Sequence, residues 1–491
     1  MLSFLIALAV LILGYVLYGG LMTRIAGQDP KRPSPVQTRA DGVDYIPLRP
    51  WKIFLIQFLN IAGLGPIFGA IMGVMYGPAA FLWIALGTIF AGAVHDYLSG
   101  MMSVRIGGAS LPAMVGSQLG GSVRKTLNVF TILLLTLVGA VFVYNPADLL
   151  AGLTPEHLDR TFWVAVILLY FVAATLLPID KIIGKIYPIF GFALLFMAAG
   201  IMVGLVVHHA DMPEIWEQMY NHKPNPELNP VFPMMFVTIA CGAISGFHAT
   251  QSPLMARCLT NERYAKPVFY GAMVAEGVVA LIWAAAAITF CHGYDALQEA
   301  LAGGSPAPLV NDISVGWLGT VGGVLAIIGV IAAPITSGDT ALRSCRLIVA
   351  EAFGVDQKKI LKRLIISLPL FAITFAIMLL PYDVMWRYFA WCNQVLSVFT
   401  LWTLTVWLAR ARHSASDRRY LVTLLPALFM TMVTVSYIVF APEGLGIVLQ
   451  GWLGVHTAYL LALFVGFVVC CAFLAIFRRC LKSNSLKPNA L

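Results

Sequence analysis

Apolar runs of about 20 residues recur along the whole chain, and a run of that length crosses the hydrocarbon core of a bilayer as one helix. Hydrocarbon cannot satisfy free backbone N–H and C=O groups, so such runs have to bond within themselves as helices. Thirteen candidate spans are centred near residues 12, 64, 91, 134, 169, 196, 239, 279, 324, 370, 397, 430 and 468. Only 11% of the 491 residues are charged, against about 25% in soluble domains. The composition therefore excludes the soluble domains that length alone would allow. No basic tract interleaved with aromatics is present, so nucleic acid is not an expected partner.

The net charge of +8 matters less than its placement. In the opening run, MLSFLIALAVLILGYVLYGGLMTR, the first charge is Arg24, after the apolar residues. A signal peptide places its charge first, so this run reads as an uncleaved helix with its N-terminus outside. Counting spans from there, all but Arg160, Lys223 and Arg387 of the 31 Lys and Arg residues fall on inside segments. That is the positive-inside rule, and one invented or missing span would invert everything after it. The C-terminus then lies in the cytoplasm. The longest outside loop, 208–230, reads as holding a short surface helix. The eight cysteines show neither a disulfide framework nor zinc-ligand spacing and read as small apolar packing residues. No cofactor is expected.

Two spans are interrupted. The second carries NIAGLGPIFG, with Gly63, Gly65 and Pro66 near its middle. The seventh carries Gly242, Ser245, Gly246, His248, Thr250, Gln251, Ser252 and Pro253 from its middle onward. These spans are five apart and run in opposite directions, which is the sign of an inverted repeat of five helices plus five. The expected architecture is an all-α polytopic membrane protein of about thirteen helices, one before the repeats and two after them. Residues 1–50 hold the first helix and a basic cytoplasmic loop, 51–207 the first repeat (spans 2–6), and 208–230 the outside loop. Residues 231–410 hold the second repeat (spans 7–11), and 411–491 two further helices and a basic tail. A broken helix offers N–H donors at one half-end and carbonyls at the other, suited to an anion and a cation respectively. The competing reading is a proline kink, or glycines that let two helices pack closely.

Ionisable residues inside a membrane usually face a cavity and have a role. His95 and Asp96 lie deep in span 3, as either a proton site or a hydrogen-bonded tie to span 2 or 7. Thr336, Ser337, Asp339 and Thr340 gather in span 9, where hydroxyls and a carboxylate suit a small cation or a proton. Asp339 can also simply pair with Arg343, four residues on. Glu276 in span 8 either titrates or bonds a neighbouring helix, Lys185 opens span 6, and Asn60, Gln251 and Asn393 are further polar candidates.

The stretches DGVDYIP (41–47), IAGLGPIFG (61–69), AGAVHD (91–96), IDKIIGKIYPIFG (179–191), GAISGFHA (242–249) and ITSGDTALRS (335–344) together resemble the carbon starvation protein A family of bacterial inner-membrane transporters. The resemblance covers roughly residues 40–350. It implies uptake of peptides or pyruvate by secondary active transport on a LeuT-like fold of five-plus-five helices. In that fold the broken core helices, here spans 2 and 7, bind substrate. A sodium site uses hydroxyls that match Thr336 and Ser337, and a lysine in place of the ion matches Lys185. The chain departs from the longer members in lacking their extra C-terminal helices. It also has Thr250-Gln251-Ser252-Pro253 where they carry a Ser-Gly-Thr-Thr-rich stretch.

The reading that follows is a symporter importing a small carboxylate-bearing nutrient, with a proton or a sodium ion. Substrate would bind at Asn60, Gly63, Gly65, Pro66, Gly242, Gly246, His248 and Gln251, its carboxylate meeting the N–H groups after Gly65. Coupling would use His95, Asp96, Thr336, Ser337, Asp339 and Lys185. An intramembrane metal enzyme built on His95, Asp96, His248 and Asp339 is the alternative, but HExxH, GxSxG and paired-carboxylate motifs are lacking, so no enzyme is expected. A channel lacks a repeated filter motif, and a nutrient sensor lacks an output domain.

Overall fold

The computed structural model describes residues 1–176, 183–208, 212, 214–303, 305–380, 382–411 and 417–482, and these are helical or irregular, with no strand among them. The principal helices are α1 (Leu2–Ala26), α2 (Pro50–Ala62), α3 (Gly65–Tyr76), α4 (Ala79–Arg105), α5 (Gly121–Leu153), α6 (Arg160–Leu176) and α7 (Ile183–Val207). They continue with α8 (231–238), α9 (His248–Ala256), α10 (Glu262–Phe290), α11 (Ala307–Phe353), α12 (Ile360–Ile377), α13 (Tyr382–Arg410), α14 (Leu421–Phe440) and α15 (Val455–Lys482).

Among the described residues ten helices are long and apolar enough to cross a membrane, and eleven if α2 and α3 count as one bent span. Two more of the expected centres fall on α6, of 17 residues, and on the two-piece α8–α9. The α10 and α13 helices are mostly buried, whereas α1, α12 and α15 turn most of their surface outward. Leu133, Leu169, Phe192, Phe196 and Phe464 are exposed on that outer surface. In water such a ring would be costly; against lipid it is the stable arrangement.

Packing joins the two halves of the chain. Helices α5 and α11 lie along one another, α7 packs on α11 and α2, and α9 packs on α4. The loop between α1 and α2 folds under one end of the bundle. There Asp41 Oδ1 accepts the backbone N–H groups of Val43, Asp44 and Tyr45, which turns the Asp44 side chain inward. Asp44 Oδ1 accepts from Arg343 Nη1 at 3.0 Å, and its Oδ2 lies 3.5 Å from Arg346 Nη2; all three residues are buried. Arg343, which the sequence alternatively allowed to pair with Asp339 four residues before it, reaches Asp44 across the chain instead. Nearby, Arg257 donates to the Gly108 carbonyl and Arg105 pairs with the buried Glu262. In place of the short helix expected in 208–230, the described residues there form turns held by Asn221 and Asn229.

Candidate functional site at two helix breaks

The first break is built by glycine. Helix α2 ends at Ala62, and Gly63 takes φ +38° and ψ −139°, a conformation that a side chain disfavours. The chain restarts at Gly65-Pro66 with a bend of 53° between α2 and α3. Proline suits this first turn because its missing N–H has no partner there in any case. A Cβ on Gly63 would stand 3.1 Å from the Phe142 ring and 3.7 Å from Ser337 Oγ. The N–H groups of Ile67 and Phe68 both donate to the Leu64 carbonyl, at 3.2 and 2.8 Å. Two donors expected to meet a substrate carboxylate are thus engaged locally in this arrangement.

The glycines of α3 serve a second purpose. Gly65, Gly69 and Gly73 recur every four residues and so share one face. A Cβ on them would stand 2.2 Å from Cys241 Cβ, 2.8 Å from the Thr238 carbonyl oxygen and 2.1 Å from the Ile239 side chain. The close-packing reading of the glycine-rich span therefore holds for these three, while Gly63 makes the break.

The second break runs from residue 239 to 247, between α8 and α9. Expectation extended it through Pro253, but Thr250, Gln251, Ser252 and Pro253 are helical. The Ser252 hydroxyl donates to the His248 carbonyl, and Asn393 accepts the N–H of Phe247, the residue just before α9. Asn393 Oδ1 accepts from Ser245 Oγ at 3.0 Å and from the Phe247 N–H at 2.6 Å. The Gly246 N–H donates to the Asn393 carbonyl, and a Cβ on Gly246 would stand 2.2 Å from the Ser397 nitrogen. Gly246 thus lets α13 approach the break. Carbonyls of the break are taken by side chains: Trp83 Nε1 on Ile239, Thr88 Oγ1 on Gly242 and Gln394 Nε2 on Ile244. A Cβ on Gly242 would lie 3.7 Å from Pro66 Cα, so the two breaks meet directly.

Two polar clusters flank this meeting point. In the first, Ser337 Oγ donates to the Leu59 carbonyl at 3.0 Å, the end of α2 that the break leaves without a helical partner. Thr336 Oγ1 turns to its own helix, on Ala332 and Ala333, because neighbours on a helix point about 100° apart. The expected hydroxyl pair is thereby divided. Asp339, also buried, has the Tyr170 and Tyr187 hydroxyls beside it. In the second cluster Asp96 bonds both His95 and His248, and His248 faces Glu276. The tie foreseen from span 3 is thus made to span 7. The four residues imagined around one metal are divided, with His95, Asp96 and His248 in one cluster and Asp339 in the other. Among the described residues no group of three or more His, Cys, Asp or Glu is arranged to hold a metal ion.

Near the breaks are buried amides with atoms that lack a hydrogen-bond partner among the described residues: both polar atoms of Asn60, Oε1 of Gln57 and Oε1 of Gln251. Buried polar groups are normally bonded, so orphaned ones mark where a polar ligand fits. Gln57, Tyr170, Tyr187, Cys241 and Asp44 were not singled out from the sequence. Gln57 had a signal, being three residues from Asn60 and hence on its face. Lys185 opens α7, and its side chain lies outside the described residues.

This helical bundle, with two interrupted helices meeting at their breaks, is of the polytopic membrane-protein class. The chain belongs to the carbon starvation protein CstA family, whose model matches residues 1–155 and 151–317. An uncharacterized membrane protein of Haemophilus influenzae is 43% identical over 62% of this chain and 95% of its own length. The peptide transporter CstA of Campylobacter jejuni is 27% identical over 56% of this chain and 48% of its own. The pyruvate/proton symporter BtsT of Escherichia coli is 27% identical over 55% and 46%. The chain thus spans about half the length of these two named transporters. Among solved structures, a manganese transporter of Eremococcus coleocola matches with TM-score 0.52 and 13% identity over 90% of this chain and 98% of that one. At that identity the likeness is one of fold.

Proposed function

We propose that this protein is a secondary active transporter of the bacterial inner membrane. It imports a small carboxylate-bearing nutrient, pyruvate or a peptide, by symport with a proton or sodium ion and alternating access. The observation that carries the reading is the direct meeting of two interrupted helices, with the unpartnered amide of Asn60 beside them. The substrate class comes from what the named relatives transport.

The architecture behind the proposal has thirteen crossings, with α6 and the pair α8–α9 counted among them. Spans 2–6 and 7–11 are the inverted repeats. Their first members meet at the breaks, and their third members, α5 and α11, pack along one another, as a pseudo-two-fold axis requires. The basic end around Asp44 faces the cytoplasm, with the N-terminus outside.

Substrate binds to Asn60 and the backbone at Gly63, Gly65 and Pro66 on one side, and to Gly242 and Gln251 on the other, beside His248, whose ring turns to Asp96 and Glu276. Gly246 acts by bringing Asn393 to the break. The coupling cation is held at the flanking clusters, Thr336, Ser337 and Asp339 or His95 and Asp96, with Lys185 as the further coupling residue. Vesicles holding the purified protein should accumulate labelled pyruvate or a dipeptide when pH and sodium gradients are imposed independently. Uptake of neither under either gradient would overturn the proposal.

A further inference from the structure

Four titratable side chains from three helices form one continuous buried chain. His95 and Asp96 stand on α4, His248 on α9 and Glu276 on α10, each 0% exposed. Asp96 is in the middle, its Oδ1 2.7 Å from His95 Nδ1 and its Oδ2 2.9 Å from His248 Nδ1. A carboxylate only accepts, so both ring nitrogens facing it carry hydrogen. This fixes the far side of His248. Its Nε2, the lone-pair nitrogen of a neutral ring, faces Glu276 Oε2 at 3.5 Å.

Neither His248 Nε2 nor either Glu276 oxygen has a hydrogen-bond partner among the described residues. A lone pair and a carboxylate facing each other in a buried site repel, and the low local dielectric strengthens that repulsion. One proton placed between them removes the conflict. In this dry site a neutral pair avoids the desolvation cost of a charged one, so the proton sits on Glu276, which donates to Nε2. Without it the cluster holds two carboxylates and no cation. Cys241, on the second break, is the further titratable group beside Glu276 and Asp96.

The chain also clamps the moving parts. α9 is the half-helix that begins at the second break, and α4 reaches the same break through Thr88 on the Gly242 carbonyl. A Cβ on Gly277 of α10 would stand 2.6 Å from Thr88 Oγ1, so α10 closes on α4 beside Glu276. We propose that the proton shared by His248 and Glu276 is the coupling proton of the transport cycle. When bound, it holds α9 against α4 and α10. When released, the two carboxylates and the imidazole lone pair repel, and α9 is freed to reorient.

This inference rests on the symport reading, but its first test does not. Difference infrared spectroscopy of the purified full chain, between mildly acid and mildly alkaline buffer, should show a buried protonated-carboxyl band. One component of that band should be lost in Glu276→Gln, perturbed in His248→Gln and present again at a shifted frequency in Glu276→Asp. A spectrum that Glu276→Gln leaves unchanged, or a wild type with no such band, overturns the inference. In vesicles, Glu276→Gln should lose accumulation of pyruvate or dialanine under an inward proton gradient, and wild-type accumulation by this variant would also overturn it. Should the wild type accumulate neither probe, the substrate reading falls while the infrared arm still decides the proton site.

Discussion

Gly63 shows how one residue controls the site. Its φ of +38° is hard for a side chain to adopt, and a Cβ would press on Phe142 and approach Ser337. Gly63→Ala should therefore cost about 1–3 kcal/mol and reduce uptake, read by thermal unfolding in detergent and by transport in vesicles. Gly20→Ala is the control: nothing lies within 4 Å of its Cβ, and it should gain up to about 1 kcal/mol of helix propensity. Asp339→Asn should abolish gradient-driven uptake if the Ser337 cluster holds the coupling ion, and unchanged accumulation would remove Asp339 from the site. Gly63 was legible in the sequence because a glycine before Gly65-Pro66 in an apolar run has a local reason to be there. Gly65 was legible as unusual, but its pressing need, the approach of Cys241, belongs to another helix.

At the scale of elements, the second break depends on a residue far away in the chain. Asn393 on α13 takes the Phe247 N–H and the Ser245 hydroxyl, and so defines where α9 starts. Asn393→Ala should cost about 1–3 kcal/mol by leaving those donors buried without a partner. The measurement is thermal unfolding, with the sharper sign being a rise in hydrogen exchange at Phe247 that exceeds any within α9. Reading the polar run Thr250-Gln251-Ser252-Pro253 as part of the interruption was reasonable on propensity. It failed because the hydrogen bond from Phe247 N–H to Asn393 on α13 and the packing of α9 on α4 outweigh local preference.

Across the whole molecule, Asp44 ties the loop after α1 to α11 through Arg343 and Arg346. Burial alone would raise its carboxyl, but the charges of Arg346, Arg343 and Arg257 outweigh that and hold it below the usual carboxylate range. A carboxylate whose folded value is depressed stabilises the fold above its unfolded value, about 3.9, and loses that contribution as pH falls through the folded one. Asp44→Asn, which breaks a buried ion pair, should thus lower stability by about 3–5 kcal/mol. The gap from wild type should stay constant across neutral and mildly acid pH and close only in strong acid. The same variant should raise thiol labelling of the buried Cys258, whose sulfur sits 3.7 Å from the Asp44 carbonyl oxygen.

The sequence by itself determined the solvent of this protein, the basic end of its bundle and the position of its first break. These depend on hydrophobicity, charge placement and the backbone preferences of Gly and Pro, all properties of a local stretch. Tertiary structure decided which groups meet. Ser337 finds the Leu59 carbonyl across 278 residues, Asp96 finds His248 across 152, and Arg343 finds Asp44 across 299. Hydrogen bonds and ion pairs act over a few ångströms, so their partners are set by how helices pack and not by separation along the chain.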